Sequence, residues 1–229
     1  MSFTEEMISD SKEIWQDFYQ HPFIQGMIDG TLDREKFCLY LIQDTNYLID
    51  YVKVYAHAFL KARSVPIMRH IYGDMNMVHS EEDMMHLAYL RDFGYSEEDA
   101  LAMPMLPGCR DYCNYMLRVA AEGSMQDAIV AAMPCCFSYY DIGVYCRDEA
   151  IRRGTYEHNF FRAWIDEYSS DGYKAIVDSS IALCDEILKE ATEAEKARWL
   201  EIFRESSRFE LGFWDMGFAD HGRKWIRNA

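Results

Sequence analysis

The chain has 229 residues, 50% of them hydrophobic, enough to fill one core near the upper size limit of a single domain. Its 39 acidic side chains against 23 basic ones give a formal charge of -16, which opposes long-range attraction to a phosphate backbone and excludes nucleic acid as a partner. Charges are expected to interrupt each apolar segment before a membrane span is reached, and the acidic start from Met1 to Glu6 is unlike a signal peptide, so the expected location is cytoplasmic.

Helical punctuation recurs from end to end, and no period-two alternation argues for a sheet, so the expected fold is all-α, one domain over residues 1–229. Ser2 and Glu5 form a capping box before a helix carrying Phe3, Met7, Ile14, Trp15 and Phe18 and ending near His21-Pro22. A short helical piece reaches Gly30. From Thr31 or Asp33 a helix of about eight turns follows, with Phe37, Tyr40, Leu41, Asp44, Tyr47, Leu48, Tyr51 and Tyr55 at helical spacing. Pro66 suits the first turn of a further helix that carries Met68, Ile71, Tyr72, Met75, Val78, Met85 and Leu90 and ends at Gly94.

A short helix follows Ser96, and Pro104 and Pro107 mark a loop. Tyr112, Tyr115, Met116 and Val119 then define a helix closed by Gly123, with Ser124 capping the next. That next helix holds Cys135 directly after Pro134, whose missing N–H should kink it beside the thiol. Helices are expected over about 157 to 168, from Asp171 to about Glu190, and from a second capping box at Thr192 and Glu195 to about Phe218. No fixed-period repeat and no linker divides the chain.

Chemistry-bearing residues stand out against this frame. Asp44 lies among Leu41, Ile42, Tyr47 and Leu48, and Glu210 among Phe209, Leu211, Phe213 and Trp214, so two acids ride on strongly apolar helices. Cys135 and Tyr139 share a helix face at i, i+4, and a thiol beside phenols and carboxylates in a dry pocket can act as a covalent catalyst. Tyr139, Tyr140 and Tyr145 read equally as a core stripe with its hydroxyls at the edge. Seven cysteines, none in CxxC spacing, read as buried thiols for the most part. His79, Glu82 and His86 offer half of a di-iron carboxylate pattern, but no second Glu-x-x-His accompanies them, so they read as a solvated helix face and no metal is expected.

Taken in order, Asp44-Thr45-Asn46-Tyr47, Tyr112, the run Pro134 to Gly143, Trp164 to Tyr168 and Phe209 to Met216 resemble the thiaminase II (TenA) family, as do His21 to Gly26 and Asp29 to Leu32. The resemblance spans nearly the whole chain and implies a haem-oxygenase-like helical bundle without haem or any other cofactor, assembled as a homotetramer. It implies hydrolysis of an aminopyrimidine, a small-molecule substrate salvaged from degraded thiamin. With Cys135 present, the chain is similar to the branch of that family with a catalytic cysteine. By the same resemblance Cys135 is the nucleophile, Glu210 the acid for a ring nitrogen, and Asp44 the acceptor for the exocyclic amine. Tyr47, Tyr112, Phe137, Tyr139 and Tyr168 would line the pocket, with Phe137 standing where many relatives have tryptophan. Phe209, Gly212 and Gly217 depart from the pattern and bear on pocket shape. Two other classes stay open, a non-catalytic pyrimidine-binding or regulatory protein and an oxygen-using metalloenzyme on the same kind of fold.

Overall fold

Helix starts follow their capping residues in this computed structural model, which describes residues 2–77 and 81–227. In α1 (Phe3–Asp10) the Ser2 hydroxyl accepts from the Glu5 N–H, and the Glu5 carboxylate accepts from the Ser2 N–H at 2.8 Å. The expected single first helix is two. Ser11 takes φ -90° and ψ 1° and its N–H is shared between the Met7 and Ile8 carbonyls, which ends α1 before α2 (Lys12–Gln20) begins. Trp15 in α2 is thereby buried against the last helix, where its Nε1 donates to the Ser207 hydroxyl.

After α3 (Pro22–Ile28), Asp33 caps α4 (Arg34–Lys61), in which residues 37–48 are buried without interruption. A helix buried on all sides is the axis of a bundle rather than its wall. The helix expected from Pro66 to Gly94 is α5 (Val65–Met77) and α6 (Glu81–Asp92). Val78, His79 and the Glu82 side chain lie outside the described residues. Tyr72, assigned to the apolar stripe, is instead 65% exposed, whereas Gly94 closes α6 with φ 90° as expected.

The short α7 (Glu97–Leu101) and the loop with Pro104 lead to α8 (Pro107–Glu122), and Ser124 caps α9 (Met125–Arg153) with a reciprocal bond to Asp127. The uncharged run 128–140 is bounded by Asp127 and Asp141, yet α9 as a whole corrects the expectation that no segment reaches the length and apolarity of a membrane span. By composition α9 is long and apolar enough to cross a membrane, but 72% of its most apolar window is buried inside the bundle, which accounts for that composition. Helix α10 (Arg162–Tyr168) starts later than expected. Asn159 holds the preceding turn, accepting from the Phe161 N–H and donating to the carbonyls of Met27 and Ile28, so its side chain competes with helix formation.

Helices α11 (Asp171–Leu188) and α12 (Glu193–Phe218) complete the all-α bundle, with no strand among the described residues. Helix α9 packs against α4, α8, α10, α11 and α12, and α12 also packs against α4 and α8. The core between them is largely aromatic, with Trp164, Trp214, Tyr40, Tyr112, Tyr168 and Phe213 all below 2% exposure. Burying each such ring stabilises the fold by about 1.5–3 kcal/mol.

Candidate active site

The polar groups that this aromatic core encloses come from six helices, α4, α6, α8, α9, α10 and α12. Glu210, on α12, is 2% exposed and accepts from the Tyr112 hydroxyl of α8 at 2.7 Å, and it is hydrogen-bonded to Cys135 of α9. Burial raises its pKa from 4.5 to about 8, and the bonds from Tyr112 and Cys135 offset that only in part. At neutral pH the carboxyl therefore holds its proton. After burial, the largest influences on Tyr47, Tyr112, Tyr139 and Glu210 come, among the described residues, from other phenols, thiols and carboxyls and include no Lys or Arg.

Cys135 is partly exposed, unlike Cys136 beside it, and the Tyr47, Tyr112 and Tyr139 hydroxyls all lie within its electrostatic reach. Burial pushes those three phenols well above their ordinary pKa, so they stay neutral donors and acceptors. Tyr139 ties the two acids together, since Asp44, Glu210 and Cys135 all act on its hydroxyl. Tyr40, which the sequence reading placed only in an apolar stripe, lies behind Tyr139. Its hydroxyl donates to that of Tyr139 at 3.4 Å and accepts from Trp164 Nε1 at 3.3 Å.

Asp44, on α4, is 3% exposed, and its Oδ2 lies 3.2 Å from Nδ1 of His86. The other nitrogen of His86, Nε2, is 3.3 Å from the Tyr168 hydroxyl. Tyr168 packs against Tyr139 and Trp164 with ring centroids 4.9 Å and 4.5 Å away. Gly143 permits this approach. A Cβ there would meet the Tyr168 backbone at 2.6 Å, so only glycine lets α9 and α10 come this close.

A partly exposed thiol, a protonated acid beside it, a second acid and several neutral phenols are groups that can attack, protonate and orient a small ligand. The TENA/THI-4/PQQC family matches residues 8–219. The chain belongs to this family. An aminopyrimidine aminohydrolase of Halalkalibacterium halodurans is 36% identical over 229 residues, the full length of both chains. A solved TenA homologue from P. horikoshii OT3 is 28% identical and superposes with a TM-score of 0.85 over 95% of this chain and 99% of its own. A domain of unknown function with a heme oxygenase-like fold from Shewanella denitrificans OS217, 14% identical, has a TM-score of 0.71 over 93% of this chain and 91% of its own. The heme oxygenase-like architecture expected from the TenA resemblance is thus the observed one.

The structure brings together Cys135, Glu210, Tyr47, Tyr112 and Tyr139, with Asp44 and Tyr168 also beside Tyr139. It does not bring Phe137 to them. Two residues along a helix rotate a side chain by about 200°, and Phe137 faces the opposite side of α9, against Phe203 and in a groove with Ile8, Trp15 and Val177. Tyr140 opens into the same groove, and Tyr145 stacks on Tyr19 on that side. Of the three tyrosines left open as a core stripe, only Tyr139 joins the site.

Phe209, one of the TenA departures, stacks on Tyr112 with centroids 5.5 Å apart and planes 5° from parallel, and so holds the phenol that bonds Glu210. Gly217 makes room for Phe23, which a Cβ would meet at 3.2 Å, while Gly212 has open space where a Cβ would stand. His86 is the residue that the sequence reading misplaced. It is 1% exposed rather than part of a solvated face, and burial lowers its pKa to about 3. A signal was present, since Tyr89, Leu90 and Phe93 lie three, four and seven residues on and are all buried. Among the described residues no group of three or more His, Cys, Asp or Glu side chains converges as metal ligands.

Proposed function

We propose that the chain hydrolyses 4-amino-5-aminomethyl-2-methylpyrimidine to its 5-hydroxymethyl counterpart in thiamin salvage, through a covalent bond to Cys135. The observation that carries the reading is the hydrogen-bonded pair of Cys135 and Glu210 in a dry, tyrosine-lined site, with Glu210 protonated up to about pH 8. Glu210 gives its proton to a ring nitrogen as Cys135 Sγ bonds to the electron-poor ring carbon next to the arm. The thiol proton leaves on the departing amine, which the electron pair of the protonated ring nitrogen expels. Water adds to the exocyclic carbon and returns a proton to the sulfur. The Sγ–C bond then breaks, the ring regains aromaticity, and Glu210 recovers its proton.

In this reading Asp44 accepts from the exocyclic amine, Tyr47 stacks on the ring, and Tyr112, Tyr139 and Tyr168 line the space around it. Assembly into a homotetramer would cover the exposed Leu60, Val65 and Tyr72 near the turn between α4 and α5. Release of hydroxymethylpyrimidine and ammonia from the aminopyrimidine, with thiamin as a second substrate, tests the activity. The parent is expected to turn over the aminopyrimidine and Cys135→Ser to lose at least about a thousandfold in kcat. Tight binding by the parent with no turnover of either compound would establish a binding protein instead.

A further inference from the structure

Tyr51 stands on α4 one turn beyond Tyr47, and the proposed chemistry assigns it no role. Its hydroxyl donates to the backbone carbonyl of Ala132 on α9 at 3.1 Å and lies 3.3 Å from the hydroxyl of Tyr55, one turn further along α4. Its ring stacks on Tyr47, with centroids 5.5 Å apart and planes at 27°, and meets Tyr55 edge-on at 5.2 Å. Tyr51, Tyr55 and Ala132 are all buried, and burial holds both phenols neutral, well above their ordinary pKa.

A carbonyl only accepts, so the one hydroxyl hydrogen of Tyr51 goes to Ala132, and the Tyr55 hydroxyl donates to the Tyr51 oxygen. The phenol is thus held from its own helix and holds the backbone of another. Where it attaches matters. Pro134 has no N–H, so the α9 ladder lacks the bond that residue 134 would make to the Val130 carbonyl, and the proline ring crowds that carbonyl. Ala132 lies inside this turn, and its carbonyl is the helical acceptor for the Cys136 N–H. The tie from α4 therefore meets α9 where the helix's own bonding is thinnest, within one turn of the Cys135 thiol.

We propose that Tyr51 is a positioning residue for Cys135, its phenol pinning the proline-weakened turn of α9 and so setting the thiol relative to the ring of Tyr47, which Tyr51 also backs. This rests on the reading of Cys135 as the nucleophile and of Tyr47 as the residue that stacks on the substrate. One side chain then serves both partners in the attack, the backbone that carries the sulfur and the ring on which the substrate lies. A misplacement of about 1 Å can cost a rate about a hundredfold, and loss of one tie among several should cost less.

Tyr51→Phe keeps the ring and its stacking and removes only the hydroxyl. Turnover of the aminopyrimidine should fall about tenfold in kcat with KM within about twofold of the parent. Amide hydrogen exchange supplies a readout independent of activity. The N–H groups of Cys135 and Cys136 should exchange about tenfold faster than in the parent, while those of α9 beyond Ile142 keep the parent rates. Tyr55→Phe leaves Tyr51 in place without the donor that steadies it, and should move both readouts the same way by about threefold; it decides the matter if Tyr51→Phe does not fold. A Tyr51→Phe protein with the parent's kcat, or with exchange quickened equally along all of α9, would overturn the proposal, because the phenol would then be a general support. A parent that turns over neither the aminopyrimidine nor thiamin would refute the catalytic reading instead. Faster exchange confined to Cys135 and Cys136 would in that case still support the tie, and its absence would end it.

Discussion

The seam between α9 and α12 carries a buried acid at each end, and the two are held in opposite ways. Asp127, near the start of α9, caps its own helix through Ser124 and takes Arg198 Nε at 3.0 Å and Trp199 Nε1 at 3.0 Å from α12. Those donors outweigh burial and hold its pKa below 3.8. Glu210, further along α12, is bonded by a phenol and a thiol with no cation beside it among the described residues, and burial raises it to about 8. The same two helices thus build one acid that is ionised at neutral pH and one that keeps its proton there. A carboxyl with a cation is a fastening; a carboxyl without one is a proton store.

The largest break in that comparison is Glu210→Gln, which keeps size and removes the transferable proton. Turnover of the aminopyrimidine is expected to fall about 10²- to 10⁴-fold. In the parent, turnover should decline as pH rises through about 8, where Glu210 loses its proton. Stability follows with a definite sign. The folded carboxyl titrates near 8 and the unfolded one near 4.5, so the folded state binds more protons between those values, and parent stability falls as pH rises across that interval. Urea unfolding at pH 5 and pH 8 should show the Gln variant gaining on the parent at the higher pH. A difference between the two proteins that is independent of pH would mean that Glu210 is not the titrating acid.

Asp127→Ala probes the other end and should act on stability rather than on turnover. It leaves the buried Trp199 Nε1 without its acceptor and removes the reciprocal cap at Ser124, at a cost of about 2–4 kcal/mol. Arg198 is 56% exposed, so the ion pair itself contributes little of this. The pH sign is reversed. A depressed carboxyl stabilises above its unfolded pKa of about 3.8, and that stabilisation disappears as pH falls through the lower folded value. Denaturation followed from pH 7 to pH 2 should therefore show parent and variant converging at the acid end, with kcat equal for both at neutral pH.

Most of this frame was legible in the sequence because capping and periodicity are local. Ser2, Ser124 and Thr192 announce α1, α9 and α12 within four residues of each start. The misreadings occurred where a distant partner decides. The first helix is interrupted at Ser11 with Trp15 bonded to distant Ser207, and Asn159 delays α10 by bonding to the end of α3, and neither partner is visible along the local sequence. At the site, family motifs located Cys135, Glu210 and Asp44, whereas Phe137 was carried along by its neighbours despite lying on the wrong helical face. His86 was discounted through its company with His79 and Glu82, although the apolar residues after it already placed it inward. A polar residue on an apolar stripe says that a partner exists; only the fold says which.

The smallest effect separates two glycines that a sequence treats alike. Gly143 stands against the Tyr168 backbone and has no room for a methyl group, while Gly212, two residues from the proton store at Glu210, has open space at its Cβ position. Gly212 lies inside α12 with an ordinary helical backbone, so nothing in the folded state requires glycine there. Alanine at such a position restricts the unfolded chain and should stabilise the protein by about 0.5–1 kcal/mol. Gly212→Ala is accordingly expected to raise the urea midpoint slightly and leave KM and kcat at parent values. A raised KM would mean that this turn of α12 moves during binding, and that the Glu210 end of the seam is less rigid than the Asp127 end.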